Sequence, residues 1–277
     1  MRPVAAEPVQ IYRYSSQGWE AQETGVIEEA SVALAVNGEE WLTFTCTPTH
    51  LEELCVGFLF NEGVIQSYAE VQALTVCADG SHVDAWLSRS VTRPGQWRRT
   101  SGCTGGVTMA ATDGLPPKLV PGDLTAQQVR DGMSRLLAAQ TLYRQTRGLH
   151  CSTLFDGVNI LQIAEDIGRH NTLDKLAGML LKTGPVPQPV MVFTTGRVSS
   201  EMLQKSARMG AMAVISRTSP TTLSIQMAEQ LGVTLIGYAR GEQFSVYSHP
   251  ERLMEPAERP SRPVVNQVDS ASASFSA

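Results

Sequence analysis

Between Gly157 and Gly237 the chain alternates between two hydrophobic periods, and no other feature limits its fold so tightly. Short apolar runs at 158–164, 189–194, 213–216 and 233–237 are bounded by polar or glycine-containing segments. Between them lie stripes at helical spacing: Leu173, Leu176, Ala177, Leu180 and Leu181, then 200–209, then 222–231. Bounded apolar runs of this length read as strands, and the 3.6-residue stripes read as helices. The order is βαβαβαβ, which predicts an α/β fold with a largely parallel sheet and helices over its faces.

That architecture makes a prediction about function, because ligands of open α/β sheets bind beyond the carboxyl ends of the strands. The unusual polar residues sit at those ends. The first strand is followed by Glu165-Asp166-Ile167-Gly168-Arg169-His170-Asn171, and the second by Thr194-Thr195-Gly196-Arg197-Val198-Ser199-Ser200. Arg217-Thr218-Ser219-Pro220-Thr221 follows the third, and Tyr238-Ala239-Arg240-Gly241-Glu242-Gln243 the fourth. Helices that start after these loops aim backbone amides at the same edge and favour anions there. Arg169, Arg197, Arg217 and Arg240 add planar, charge-assisted contacts, so the expected ligand carries phosphate or pyrophosphate. The formal net charge is -5, so nothing global points to nucleic acid or an anionic membrane, and an anion must be held locally. Neither a Walker loop nor a GxGxxG is present. His170 shares its run with Glu165 and Asp166, which are expected to orient it and raise its pKa. His150 and His170 are each a candidate general base or a cap or core histidine.

The first hundred residues read differently. Residues 31–36 and 40–45 flank Asn37-Gly38, a hairpin signal. Thr49 and Glu52 form a capping-box pattern before Leu51, Leu54, Cys55, Phe58 and Leu59, a stripe that Gly63 ends. Residues 100–123 lose periodicity, and a second box, Thr125 with Gln128, opens a stripe of Val129, Met133, Leu136 and Leu137. The expected division is a small α+β domain at 1–100, an α/β domain at 101–254 that begins with an active-site loop, and a disordered, proline- and serine-rich tail at 255–277. No apolar run is long enough to span a bilayer and 1–17 lacks a signal-peptide core, which predicts a cytoplasmic protein.

The five cysteines, Cys46, Cys55, Cys77, Cys103 and Cys151, are widely spaced and never paired as CxxC. This argues against a disulfide framework and against a zinc site, so no bound metal is expected. Free cysteines are usually packing residues. Cys103 is the exception, because Arg98-Arg99-Thr100-Ser101-Gly102-Cys103-Thr104-Gly105-Gly106 has no apolar periodicity, and its two cations favour the reactive thiolate. Cys55 belongs to a helical stripe, and Cys46 and Cys77 are assigned no chemistry. Cys151, beside His150, ranks second as a reactive thiol, with burial next to Leu154 and Phe155 equally open.

These residues give the chain a family likeness. It resembles the FdhD family of formate dehydrogenase accessory proteins through Val36-Asn37-Gly38, Gly57-Phe58-Leu59-Phe60-Asn61-Glu62-Gly63-Val64-Ile65, Gly102-Cys103 and the run from Glu165 to Lys175. Further matches are Thr195-Gly196-Arg197-Val198-Ser199-Ser200-Glu201-Met202, Lys205, the run from Ser216 to Thr221, and Gly237-Tyr238-Ala239-Arg240-Gly241. The resemblance implies a cytidine-deaminase-like α/β domain joined to a smaller N-terminal domain, in a homodimer. It implies a sulfur carrier that takes sulfur from a cysteine desulfurase as a cysteine persulfide. The sulfur passes to the bis-molybdopterin guanine dinucleotide molybdenum cofactor before insertion into formate dehydrogenase. On matching positions, Cys103 is implied to bear the persulfide, and Tyr238, Ala239, Arg240, Gly241, Glu242 and Gln243 to contact the cofactor, which guanine nucleotides are expected to mimic. Gly106 stands where many members carry a second cysteine, so the alternative is a cofactor-binding chaperone without covalent sulfur transfer. The H-x-E and P-C-x-x-C residues of zinc deaminases are missing, so deamination is not implied.

Overall fold

The structure is a computed structural model that describes residues 5–93, 97–99, 107–109, 124–184 and 190–253. The chain opens with a ribbon of two antiparallel strands, β1 (Ala6–Ser15) and β2 (Gly18–Ile27). Next, β3 (Ala30–Val36) and β4 (Glu39–Cys46) form the expected hairpin, with Asn37 and Gly38 at φ 52° and 81°, the positive values a tight hairpin turn requires. Helix α1 (Leu51–Asn61) follows, then β5 (Val71–Val76) and β6 (His82–Leu87), giving a four-stranded sheet in the order β4-β3-β6-β5. The apolar stripe of α1 buries Leu54, Cys55, Phe58 and Leu59 with Val32, Leu34, Trp41 and Val83 of that sheet.

The Thr49–Glu52 capping box does not form. His50 is the N-cap, with φ 52° and no side-chain cap bond. The Thr49 hydroxyl instead accepts from Lys175 Nζ at 3.2 Å, because a buried ammonium needs oxygen ligands more than an exposed helix end needs a cap. The Thr125–Gln128 box forms as expected and opens α2 (Ala126–Ala139). Before it, the backbones of β7 (Trp97–Arg99) and β8 (Val107–Met109) pair antiparallel, with Arg99 opposite Val107. Cys103 falls between them, outside the described residues. The 255–277 tail also lies outside them.

After α3 (Leu142–Thr146) come β9 (His150–Phe155), β10 (Ile160–Asp166), α4 (Arg169–Thr183), β11 (Val190–Thr194) and α5 (Ser200–Arg208). They are followed by β12 (Ala211–Ser216), α6 (Thr222–Leu231), β13 (Thr234–Arg240) and β14 (Gln243–Val246). These strands make a six-stranded sheet in the order β10-β9-β11-β12-β13-β14. It is mixed rather than largely parallel: β11–β12 and β12–β13 are parallel, while β10–β9, β9–β11 and β13–β14 are antiparallel. The expectation missed β9 because Ser152 and Thr153 interrupt its apolar run, although both are fully buried in the sheet.

The feature that matters for function survives this correction. Both β10 and β11 run antiparallel to β9, so β10 points the same way as β11, β12 and β13. Their carboxyl ends share one edge, and the start of β9, His150, joins them. One core cluster contains residues of α4, α5 and α6, and another contains residues of α2. Among the described residues no helix is long and apolar enough to cross a membrane.

Candidate functional site

At the shared edge the loops are tied together by buried hydroxyls. Thr194, the last residue of β11, accepts at Oγ1 from Ser152 Oγ at 2.9 Å and from the Gly196 amide at 3.2 Å. Ser216, the last residue of β12, donates from Oγ to the Gly196 carbonyl at 2.6 Å and accepts from the Thr218 amide at 2.9 Å. The Arg217 amide donates to Thr194 O, the Tyr238 amide to Thr218 O, and Arg240 Nε to Arg217 O, each within 3.1 Å. The loops after β11, β12 and in β13 are therefore one hydrogen-bonded rim. Arg197, Arg217, Tyr238 and Arg240 are exposed on it.

Tyr238 was expected beyond the fourth strand. It lies within β13, which runs to Arg240 with a register shift between Gly237 and Arg240. Its φ is +52°, uncommon for a residue with a Cβ, and its side chain is 46 % exposed. A strained backbone that holds an aromatic ring outward is a recurrent mark of a ligand clamp.

The first strand end departs most from expectation. Glu165 and Asp166 belong to β10 and are buried, and neither partners His170. Glu165 caps α3, accepting from the amides of Thr141, Leu142 and Tyr143 and from the Thr141 hydroxyl. Asp166 binds Lys175 Nζ at 2.6 Å and accepts from Asn171 Nδ2, the Gly168 amide and the Thr47 amide. Arg169 begins α4 and is only 7 % exposed. It faces His150 across Gly196, where an added Cβ would lie 3.0 Å from Arg169 Cβ and 3.5 Å from His150 Nδ1.

His170 Nε2 lies 3.4 Å from Ser199 Oγ and 3.7 Å from Glu201 Oε2. Its pKa is lowered, not raised, because burial outweighs the attraction of Glu201. Glu201 is pulled down to about 2, chiefly by its bond to His170 and also by Ser199. Full ion pairing would have lifted the imidazole, so we take His170 as neutral and Glu201 as anionic at neutral pH. Below about pH 6.5 the unfolded chain takes up a proton that folded His170 refuses, so stability falls with pH there. His50 and His150 are lowered by burial too and act in the same direction. Denaturant titrations at pH 8 and pH 5 should show less stability at pH 5, and a smaller difference for His170→Gln. An equal difference in that variant would remove His170 from the effect.

The thiols separate cleanly. Cys151 is fully buried, and burial pushes its pKa up, so it packs rather than reacts. Burial likewise raises Cys46 to about 12 and raises Cys55. Cys77 is partly exposed and donates from Sγ to Asp79 Oδ1 at 2.8 Å. Among the described residues no group of His, Cys, Asp and Glu is placed to hold a metal ion. Sequence reasoning missed Ser152 and gave Thr194 and Ser216 no role of their own, although both stand in runs it singled out. Their only signal was a small hydroxyl residue inside or at the end of an apolar strand.

The FdhD/NarQ family model matches residues 27–254. The chain belongs to the FdhD/NarQ family. The sulfur carrier protein FdhD of Staphylococcus haemolyticus is 37% identical over 240 residues, covering 82% of this chain and 89% of that protein. The sulfur carrier protein FdhD of Bacillus subtilis is 35% identical over 259 residues, covering 88% and 96%. A Desulfotalea psychrophila protein assigned as a formate dehydrogenase accessory protein has a crystal structure that superposes with a TM-score of 0.76 at 27% identity, over 91% of this chain and all of that one. Within this FdhD/NarQ chain, the long 165–175 run is largely internal support: Asp166, Asp174 and Lys175 are all at most 2 % exposed.

Proposed function

We propose that the chain is a sulfur carrier required for formate dehydrogenase activity. It takes persulfide sulfur from a cysteine desulfurase on Cys103 and passes it to the bis-molybdopterin guanine dinucleotide molybdenum cofactor before that cargo is inserted. The observation that carries the reading is the single hydrogen-bonded rim bearing Arg197, Arg217, Tyr238 and Arg240, in a chain whose relatives are named sulfur carriers. Guanidinium groups suit pyrophosphate, and an outward tyrosine offers a stacking face for guanine. Glu242 and Gln243, at the β13–β14 turn, extend the same surface. Arg169 and His170 support the rim from inside rather than from its exposed face.

In the loading step the Cys103 thiolate attacks the outer sulfur of the desulfurase persulfide. One S–S bond forms as another breaks, and the desulfurase thiolate leaves with the electron pair. Arg98 and Arg99, close in sequence, favour the attacking thiolate. We also carry the homodimer, the cytoplasmic location and the cytidine-deaminase-like character of the six-stranded sheet as parts of this reading. Gly106 favours a second reading, a chaperone that binds the cofactor without covalent transfer.

Mass spectrometry after incubation with desulfurase and cysteine separates the two. The carrier gains one sulfur on Cys103, and the chaperone gains none. Cys103→Ala should abolish formate dehydrogenase maturation while keeping guanine nucleotide affinity, and normal maturation would sink the persulfide role. Arg240→Ala should weaken guanine nucleotide binding about tenfold or more, the scale of losing one charge-assisted hydrogen bond. Equilibrium titration with GDP checks this, and an unchanged affinity removes that loop from the site.

A further inference from the structure

His150 opens β9 at the edge where the strand ends gather, between the end of β10 and the loop after β11. Two bonds on the next residue fix its place: the Cys151 amide donates to Thr195 Oγ1 at 3.0 Å, and the Thr195 amide donates to Cys151 O at 2.9 Å. The adjoining Gly196 is held as firmly, its amide donating to Thr194 Oγ1 and its carbonyl accepting from Ser216 Oγ. Because Gly196 has no Cβ, the Arg169 stem and the His150 ring can close against this loop. An added Cβ would lie 3.2 Å from Arg169 Cδ and 3.5 Å from His150 Nδ1. Arg197 is the next residue of the loop and is exposed.

Three basic side chains from three elements thus meet around one glycine. Among the described residues the charged groups that act on His150 are Arg169 from α4, Asp166 from β10 and Arg197 from the loop after β11. Burial first, and then the two guanidinium groups, hold the imidazole below its ordinary range. Asp166 acts the other way, but it is already engaged by Lys175 Nζ at 2.6 Å and by the Gly168 and Thr47 amides and Asn171 Nδ2. An anion set among these groups would relieve the repulsion and give a protonated ring an acceptor, at the edge where ligands of α/β sheets bind.

We propose that His150, Arg169 and Arg197 form a pyrophosphate subsite at the inner end of the rim, and that the His150 ring takes up a proton from solvent as a pyrophosphate diester binds there. The subsite rests on the reading of the rim as a guanine dinucleotide site. It adds His150 as a ligand group and couples binding to protonation. The sign follows from linkage: a complex that holds more protons than the free protein is favoured as pH falls through the range in which histidine titrates. The arginines stay charged throughout, so they add affinity without pH dependence. His170 faces Ser199 and Glu201 instead and is not part of the subsite.

GDP-mannose is the probe, because its pyrophosphate is esterified at both ends and takes up no proton near neutral pH. Calorimetric titration of the full chain should show an affinity about threefold or more higher at pH 6 than at pH 8, since an anion within hydrogen-bond reach favours the protonated ring by about tenfold or more. Titrations at pH 7 in buffers of different ionisation enthalpy should show proton uptake. His150→Gln should still bind GDP-mannose through the rim but lose both the pH dependence and the uptake. If that variant does not fold, NMR of the His150 ring Cε1–H in the unaltered chain reads the same event, and its titration should move to higher pH when GDP-mannose is added. Binding that is equally strong at both pH values without proton uptake, uptake that survives in His150→Gln, or a His150 titration that GDP-mannose leaves in place would each overturn the subsite and leave the rim standing. Absence of any GDP-mannose binding would overturn the rim with it.

Discussion

Gly57→Ala is expected to destabilise the fold by roughly 3 to 5 kcal/mol, because helices α1 and α4 cross with their backbones in contact. A Cβ on Gly57 would fall 1.7 Å from the Asp174 carbonyl oxygen and 2.6 Å from the Gly178 amide nitrogen. A Cβ on Gly178 would in turn fall 2.0 Å from the Glu53 carbonyl oxygen. Both obstacles are backbone, so no rotamer change relieves them and the helices must separate.

Separation reaches past packing. Asp174 lies beside the crossing and holds Lys205 Nζ at 2.7 Å and Asn61 Nδ2 at 2.8 Å, with Glu62 3.6 Å from the same ammonium. All four side chains are buried, so parting the helices strands polar groups away from water as well as opening a void. Chemical denaturation of the purified variant measures the loss. A cost below about 1 kcal/mol would mean that the helices slide apart cheaply and that the close approach is incidental.

Asp166→Ala is expected to cost a comparable amount, about 3 to 5 kcal/mol, by leaving Lys175 charged in the interior. Lys175 is fully buried, and among the described residues its partners besides Asp166 are neutral oxygens: Thr47 O at 3.1 Å, Thr49 Oγ1 at 3.2 Å and Glu165 O at 3.3 Å. The substitution also removes the acceptor of the Gly168 and Thr47 amides and of one Asn171 Nδ2 hydrogen, while Nδ2 keeps its bond to Thr45 O. Lys175→Met should be milder, since Asp166 keeps those donors. The double variant should fall short of the sum of the two losses, because the pair interacts directly. Additive losses in denaturant titrations would refute the coupling. Asp166 accepts from the Gly168 amide and so sets the start of α4, where Arg169 supports the rim from inside; under the proposed function the variant should also bind GDP more weakly in an equilibrium titration.

Much of this was legible along the chain. The alternation after Gly157 located the helices and the edge where polar residues gather, because a period of 3.6 against a bounded apolar run is a local property that burial imposes on any such element. The Asn37-Gly38 hairpin and the Thr125–Gln128 cap were legible for the same reason: their partners lie within a few residues. Other partners were not within reach of a local pattern. Glu165, Asp166 and His170 are neighbours in sequence, yet they serve α3, Lys175 and the Ser199–Glu201 turn respectively. Thr49 looked like a helix cap and became an ammonium ligand.

By itself the sequence determined the α/β class and the strand-end position of Arg197, Arg217 and Arg240; its reading of Cys103 as the reactive thiol falls outside the described residues and stays part of the proposed function. Periodicity, glycine and adjacent charge act over a few residues and need no folded context. Only the tertiary structure decided that β9 enters the sheet antiparallel, that Cys151 is buried, and that most of the 165–175 run is internal scaffold. It also decided that Ser216 and Thr194 lock the arginine loops into one rim. Those outcomes depend on which groups meet from different elements of the fold, and on how burial weighs desolvation against each available partner.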